Sequence, residues 1–397
     1  MALDLNKIFD NVVKKSIFKN KYVLQIDYAP NNILHREDQI KQVANILACS
    51  LRLEKPSNLF IYGKTGTGKT LVVKFVANQL MKKAKELKVP LKVIYINCKL
   101  KKVSDTEYRI LAELINQLGH NIPATGLPTD VVYRKFIDLI DENKNLIIII
   151  LDEIDEAVKK ISDEFLYNFT RLNSELLNSQ ITLVGISNDL TFLDSLDPRV
   201  RSSLSEEELV FPPYNAFQLQ DILKERAKQA FKRSVLQEGV IEKIAAIAAK
   251  EHGDARRALD LLRVSAELAE RDGKTKLTLE YIDKAIEKME KDKIIDLVET
   301  QPRHHQLVIL AIINLIEKNK EEKIFTGDIY NKYLEIAANL KLEPLTQRRV
   351  SDILAELDML GLINAKVISK GRYGRTREIK MNLPLSLISK IKSIIEY

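Results

Sequence analysis

The chain has 397 residues, 45% of them apolar and 29% charged, a globular composition with enough apolar side chains for several cores. Gly and Pro together number 24, about half the usual share of roughly 12%, which excludes collagen-like and long low-complexity segments. Net charge is +7, and Lys366–Lys380 holds six basic residues against one acidic, so most of the excess lies in one short C-terminal stretch, the footprint of a polyanion partner. The two cysteines, Cys49 and Cys98, form no CxxC or Cys/His cluster, against both a disulfide framework and a Cys-type zinc site. No apolar run approaches the roughly 18 residues of a spanning helix, and the N-terminus lacks a basic-then-apolar layout. The expectation is a cytoplasmic, nucleoid-associated protein with no membrane partner.

From about residue 55 to 212, apolar runs alternate with amphipathic segments. LFIYG (59–63) reads as a short buried strand and residues 69–87 as a helix. LKVIYIN (91–97), NLIIIILDE (145–153) and QITLVGISN (180–188) read as three further strands. Nearly continuous apolar strands point to a parallel sheet covered on both faces, an α/β layer. Residues 215–292 are helical in period without a strand, a small bundle. A bridge around His304 and His305 follows, with no metal-ligand spacing near it. Three more helices then precede LINAKVISK, GRYG and RTREIKMN, a hairpin with a glycine-bearing tip.

Gly63–Thr70, GKTGTGKT, matches GxxxxGK[ST] completely and lies between a buried strand and a helix. Gly66, Thr67 and Gly68 let backbone N–H groups turn inward around phosphates at a helix N-terminus. Lys69 supplies charge to the β- and γ-phosphates, and Thr70 a hydroxyl to Mg²⁺. At the end of the third strand, Asp152 stands where a metal-holding carboxylate belongs and Glu153 where a group orienting water belongs. Asp155 reads as a solvated helix residue. Asn188, closing GISND, can reach the attacking water or the γ-phosphate. The implied ligands are ATP or ADP with Mg²⁺.

In LTQRRVSDILAELDML the apolar positions Val350, Ile353, Leu354, Leu357 and Leu360 make one helical stripe, and Thr346 is placed to cap it. Gln347, Arg348 and Arg349 then project from the N-terminus of a helix suited to the major groove. Lys370, Arg372 and Arg375 surround the hairpin tip, which suits phosphate and minor-groove contact, with Tyr373 against a sugar.

In chain order, GKTGTGKT, IIIILDEID, GISND, LDPRVRSSL, FPPYNAFQLQDIL and GDARRAL resemble an AAA+ ATPase. The similarity is greatest to the initiator branch: archaeal replication initiators of the origin-recognition-complex and cell-division-cycle type. It spans nearly the whole chain. It implies an α/β AAA+ P-loop core with a parallel sheet (residues 1–213), an α-helical lid (214–295) and a C-terminal winged-helix DNA-binding domain (296–397). It places Tyr214 and Arg226 at the nucleotide, and Arg256 or its neighbour Arg257 as the lid residue that reads phosphates. Arg199 and Arg201 become candidates for the arginine finger that completes a neighbour's site. Ser203 stands where eukaryotic relatives often carry an Arg, a departure that suggests slow hydrolysis by the isolated chain. The helical insertion after Asn97 is used against DNA in this branch, with Lys99, Lys101, Lys102 and Arg109 as local support.

The function so implied is an initiator that binds double-stranded origin DNA under ATP/ADP control, works with paralogous initiator subunits and helps recruit or load the replicative hexameric helicase. A clamp-loader-like motor would lack the basic C-terminal unit. An ATP-regulated transcription factor would use the same two modules, and nothing physical in the sequence separates it from an initiator.

Overall fold

Alternate residues of the apolar strands face opposite ways, and helices cover both sides of the sheet they form. A computed structural model of the chain describes residues 16–99, 106–123, 125–204, 206–318, 324–369, 375–381, 383 and 385–396. The chain divides into two units, Met1–Ile282 and Asp283–Tyr397. In the first, β1 (Asn58–Tyr62), β2 (Leu91–Asn97), β3 (Leu146–Asp152), β4 (Gln180–Ser187) and β5 (Glu206–Val210) form one parallel sheet in the order β2-β3-β4-β1-β5. Leu59, Ile61, Ile148, Ile150, Val184 and Ile186 pack under α1 (Glu37–Ala48) and α2 (Lys69–Leu87). Phe60, Tyr62, Ile147, Ile149 and Leu151 face the other way. They meet α3 (Glu107–Gln117), α4 (Thr129–Asp141), α5 (Ile154–Ile161), α6 (Glu164–Glu175) and α7 (Pro198–Leu204).

The four apolar strands expected from the sequence are present within a residue or two of their expected ends. The fifth, β5, reads EEELV and carries no apolar run. It pairs with β1 from Asn58↔Glu206 to Tyr62↔Val210, and its glutamates at 207 and 208 are exposed. An edge strand needs only one buried face and tolerates charge on the other, so its composition hides it.

The register fixes the site. Tyr62 pairs with Ser187, and Asn97 with Asp152, which in turn pairs with Ile186. The C-terminal ends of β1, β2, β3 and β4 therefore finish at one level, where ligands bind in open parallel sheets.

The bundle that follows comprises α8 (Ala216–Ala230), α9 (Val240–Lys250) and α10 (Ala255–Arg271), after which α11 (Leu279–Glu299) carries the chain into the second unit. The N-terminal segment, which the sequence left with the sheet domain, packs on this bundle. Lys19 N–H donates to Ala230 O at 2.7 Å, the Phe18 and Phe231 rings stack at 5.2 Å, and Lys21 pairs with Glu267 at 2.9 Å.

The second unit has the helices and hairpin of a winged helix: α12 (Arg303–Lys318), β6 (Ile324–Phe325), α13 (Thr326–Asn339), α14 (Gln347–Met359), β7 (Ile363–Ser369), β8 (Arg375–Met381) and α15 (Leu385–Glu396). The strands pair antiparallel in the order β6-β8-β7. The closing helix α15 buries Leu387, Ile388, Ile391 and Ile395 in the core.

His304 and His305 do not sit in a linker. Both lie in the first turn of α12, where His304 Nδ1 meets the Tyr333 hydroxyl at 2.8 Å and His305 Nε2 meets Glu356 at 2.7 Å. They cross-link α12 to α13 and α14, a role that spacing along the chain does not reveal. The Tyr333 hydroxyl also accepts the Leu345 N–H at 3.0 Å, holding the loop that leads into α14. Removing that buried hydroxyl in Tyr333→Phe strands a backbone donor, and the unfolding transition of this unit in urea should fall by about 1–3 kcal/mol. An unchanged midpoint would mean the contact contributes nothing.

Candidate functional site

The loop between β1 and α2 must bend sharply, and glycine permits it. Gly68 precedes the helix at φ +92°, a left-handed conformation that side chains rarely adopt. Around this loop one cleft is lined by residues 65–70, Asp152, Glu153, Asn188 and Arg256. The structure thus brings together most of the nucleotide-site residues expected from the sequence, from three strand ends and the helical bundle.

Lys69 is only 5% exposed. Its ammonium donates to Gly63 O at 2.6 Å, to Lys64 O at 2.9 Å and to Asn188 Oδ1 at 2.9 Å. All three acceptors are formally neutral. Burial, reinforced by the Arg256 charge and opposed by Asp152, lowers Lys69 to about 8. Asn188, expected at the attacking water or γ-phosphate, is thus joined directly to the phosphate-loop lysine.

Thr70 Oγ1 donates to Asp152 Oδ2 at 2.8 Å. One hydroxyl and one carboxylate beside a phosphate loop are the hard oxygen donors that Mg²⁺ takes, with phosphate oxygens and water completing its shell. The residues fit that ion. Among the described residues no group of three or more His, Cys, Asp or Glu side chains gathers elsewhere to hold a metal. Glu153 follows Asp152 at φ +56°, uncommon for a residue with a side chain, and its carboxylate lies 3.4 Å from Lys99 Nζ. Asp155 departs from expectation: it is 5% exposed, not solvated, and its Oδ1 has no hydrogen-bond partner among the described residues.

The helical bundle reaches the same cleft through the turn before α10. Asp254 caps that helix, accepting the N–H groups of Arg256 and Arg257 at 2.7 and 3.2 Å. Ala255 N–H donates to Gly66 O at 3.2 Å. A Cβ on Gly66 would lie 1.7 Å from the Asp254 carboxylate, so glycine there permits the approach. Of the two arginines left open by the sequence, Arg256 lines the cleft, while Arg257 Nε donates to Glu251 at 3.1 Å.

Two expected nucleotide contacts are placed differently. Tyr214 is 5% exposed and its ring faces the Arg36 guanidinium at 3.7 Å, so that face is closed to an adenine. Its hydroxyl lies 2.9 Å from where a Cβ on Gly68 would stand, beneath the phosphate loop. Arg226 is 7% exposed, donates to Val23 O at 3.3 Å and covers the Tyr28 ring at 4.5 Å. It anchors the N-terminal segment and does not line the cleft.

Arg36 itself was missed. It is 2% exposed and donates to Thr67 O at 2.9 Å, Pro212 O at 2.6 Å and His35 O at 3.0 Å. It joins the phosphate loop to the segment entering the bundle. A lone Arg before an acidic helix start reads as a surface residue, and only tertiary structure reveals its burial. Tyr95, also missed, donates from its hydroxyl to Asp152 Oδ2 at 2.7 Å.

Arg199 and Arg201 are exposed on α7 and do not line their own chain's cleft; Arg201 pairs with Asp194 at 2.9 Å. Ser203 shares a hydrogen bond with Thr170 at 2.9 Å. In the second unit, Gln347, Arg348 and Arg349 are exposed at the N-terminus of α14, with Thr346 as cap and Val350, Ile353, Leu354 and Leu357 buried. Leu360 ends the helix and is 42% exposed, outside the stripe expected of it. Arg349 pairs with Glu356 at 3.1 Å, whereas Arg348 has no ion-pair partner among the described residues. Lys101, Lys102, Lys370, Arg372 and Tyr373 lie outside the described residues; Arg375 opens β8.

Comparison with known proteins gives consistent results. Residues 52–192 match the model of an AAA domain, 220–287 that of a Cdc6 AAA+ ATPase-type lid domain, and 296–390 that of the CDC6 C-terminal winged helix domain. An ORC1-type DNA replication protein of Thermococcus onnurineus is 52% identical over 96% of this chain and 92% of its own. One from Pyrococcus abyssi is 50% identical over 100% of this chain and 94% of its own. The solved structure of the Aeropyrum pernix ORC1 protein in complex with DNA superposes with TM-score 0.82 at 43% identity, covering 95% of this chain and 97% of that one.

A nucleotide's phosphates would raise the Lys69 pKa above its value of about 8 in the free protein. Affinity is then complete below that pH and falls as pH rises through it, by up to about tenfold per unit. Calorimetry of ADP binding in buffers of different ionisation heat should show little proton uptake near about pH 7 and uptake approaching one proton per site near about pH 9. No uptake at the higher pH would contradict the assignment.

Proposed function

Because the chain belongs to the family of ORC1-type DNA replication proteins, we propose that it is a replication initiator that binds origin duplex DNA under ATP/ADP control and helps recruit or load the replicative hexameric helicase. The observation that carries this reading is one chain holding both a phosphate cleft closed by a lid arginine and a capped helix that presents Gln347, Arg348 and Arg349.

In the first unit, the loop amides and Lys69 hold the β- and γ-phosphates, and Asn188 keeps the lysine directed. Thr70 and Asp152 hold Mg²⁺, which when bound neutralises charge on those phosphates. Glu153 orients the attacking water. Arg256 brings a charge from the bundle to the same phosphates, so the nucleotide's state sets how tightly the lid turn sits on Gly66. Hydrolysis by the isolated chain is slow because a finger is missing. A neighbouring initiator subunit supplies one, as Arg199 or Arg201 of this chain does for its neighbour's site, a contribution worth about 10³–10⁵ in rate.

In the second unit, Arg348 and Arg349 read base edges or phosphates in the major groove and the basic hairpin grips the adjacent backbone. Arg349 must leave Glu356 to do so, at modest cost because both side chains are about half exposed. Acting on chromosomal DNA, the protein works in the cytoplasm at the nucleoid. Among the described residues, no helix is long and apolar enough to cross a membrane.

Anisotropy titrations of origin duplex against a scrambled duplex, across a salt series, test the DNA arm. Wild type should prefer the origin sequence, and Arg348→Ala should lose about 1–3 kcal/mol of that preference. Equal affinity of the wild type for both duplexes would overturn the initiator reading.

A further inference from the structure

We infer that Tyr95 is a positioning residue for Mg²⁺-dependent nucleotide binding, holding the Asp152 carboxylate in the orientation that receives the ion. The inference rests on the reading of the cleft as an ATP/ADP site and concerns a residue that no phosphate-loop motif includes.

Two observations carry it. First, Tyr95 Oη lies 2.7 Å from Asp152 Oδ2, the oxygen that also accepts from Thr70 at 2.8 Å. Among the described residues, the hydrogen bonds to the Asp152 side chain all fall on Oδ2. Two hydroxyl donors on one oxygen fix the carboxylate plane and leave Oδ1 for the ion or its water shell. Second, the residue is held at its ring and at its backbone. Lys74 Nζ, from α2, lies 3.8 Å from its centroid, and Gln117, from α3, donates to the Tyr95 carbonyl at 3.0 Å. A phenol fixed in this way has little freedom to turn from the carboxylate.

Packing alone does not call for the oxygen. Phenylalanine would fill the same space, keep the lysine over its ring and leave the backbone contact to Gln117. What only tyrosine supplies is the second donor to the carboxylate beside Thr70. Groups that orient a metal ligand commonly matter about 10–100-fold for metal affinity.

The test is titration of a fluorescent ADP analogue into wild type and Tyr95→Phe, first in EDTA and then across a Mg²⁺ series, with circular dichroism and thermal melting as checks on the fold. The expected result is equal affinity in EDTA, because the loop and Lys69 are untouched, with the Mg²⁺ concentration for half-maximal tightening raised at least about tenfold in the variant. Superimposable Mg²⁺ curves would overturn the inference. So would an equal loss of affinity with and without Mg²⁺, since that marks general damage to the cleft. Failure of the wild type to bind the analogue at all would instead overturn the nucleotide reading on which the inference depends.

Discussion

A buried ammonium without a carboxylate partner among the described residues is the constraint on which this site turns. Lys69 is held by two carbonyls of its own loop and by the amide oxygen of Asn188, while Arg256 adds a second positive charge to the cleft. Carbonyl and amide oxygens satisfy the ammonium's hydrogen bonds but not its charge. An anion with several oxygens completes the arrangement, and the loop amides at the start of α2 face where it would lie. The sheet order brings this about. With β1 beside β4, the loop after β1 and the asparagine after β4 end at one level, and β3 next to β4 brings Asp152 within reach of Thr70.

The helical bundle is fastened to this centre through backbone more than through side chains. Ala255 binds the Gly66 carbonyl, Tyr214 N–H binds Gly253 O at 3.2 Å, and Arg36 links Thr67 to Pro212. These contacts couple the phosphate loop to the segments that enter and leave the bundle. A change in the loop caused by phosphate would therefore be felt at the lid turn, which gives physical content to a nucleotide-controlled switch. In the second unit the same economy appears around Glu356, which ties His305 of α12 and Arg349 of α14 together. That pair sets the helix carrying the exposed arginines against its own core.

The catalytic centre was legible because its chemistry dictates sequence spacing. Phosphates need consecutive amides after a strand, so GKTGTGKT announces itself; a metal carboxylate needs a strand end, so LDE follows. Asp254 was legible in principle as an N-cap before ARRAL, and that cap decides which of the paired arginines enters the cleft. Arg36 and Tyr95 carried no such signal. Their partners lie 31 and 57 positions away and are reached only through the packing of the sheet. Tyr214 and Arg226 were placed at the nucleotide by resemblance, yet in this chain their polar and aromatic surfaces meet Arg36, Val23 and Tyr28. Strand β5 escaped because an edge strand can be acidic. The histidines escaped because α12 begins one residue before them and not after.

The central claim is that the helical bundle closes on the nucleotide through Arg256 and not through its neighbour. Calorimetric titration of a non-hydrolysable ATP analogue with Mg²⁺ into wild type, Arg256→Ala and Arg257→Ala tests it most directly. A charge-assisted contact to phosphate is worth about 1.5–3 kcal/mol, so Arg256→Ala should bind at least about tenfold more weakly while Arg257→Ala binds as wild type does. Unchanged affinity in Arg256→Ala, with the loss appearing in Arg257→Ala, would contradict the account of how lid and phosphate loop meet.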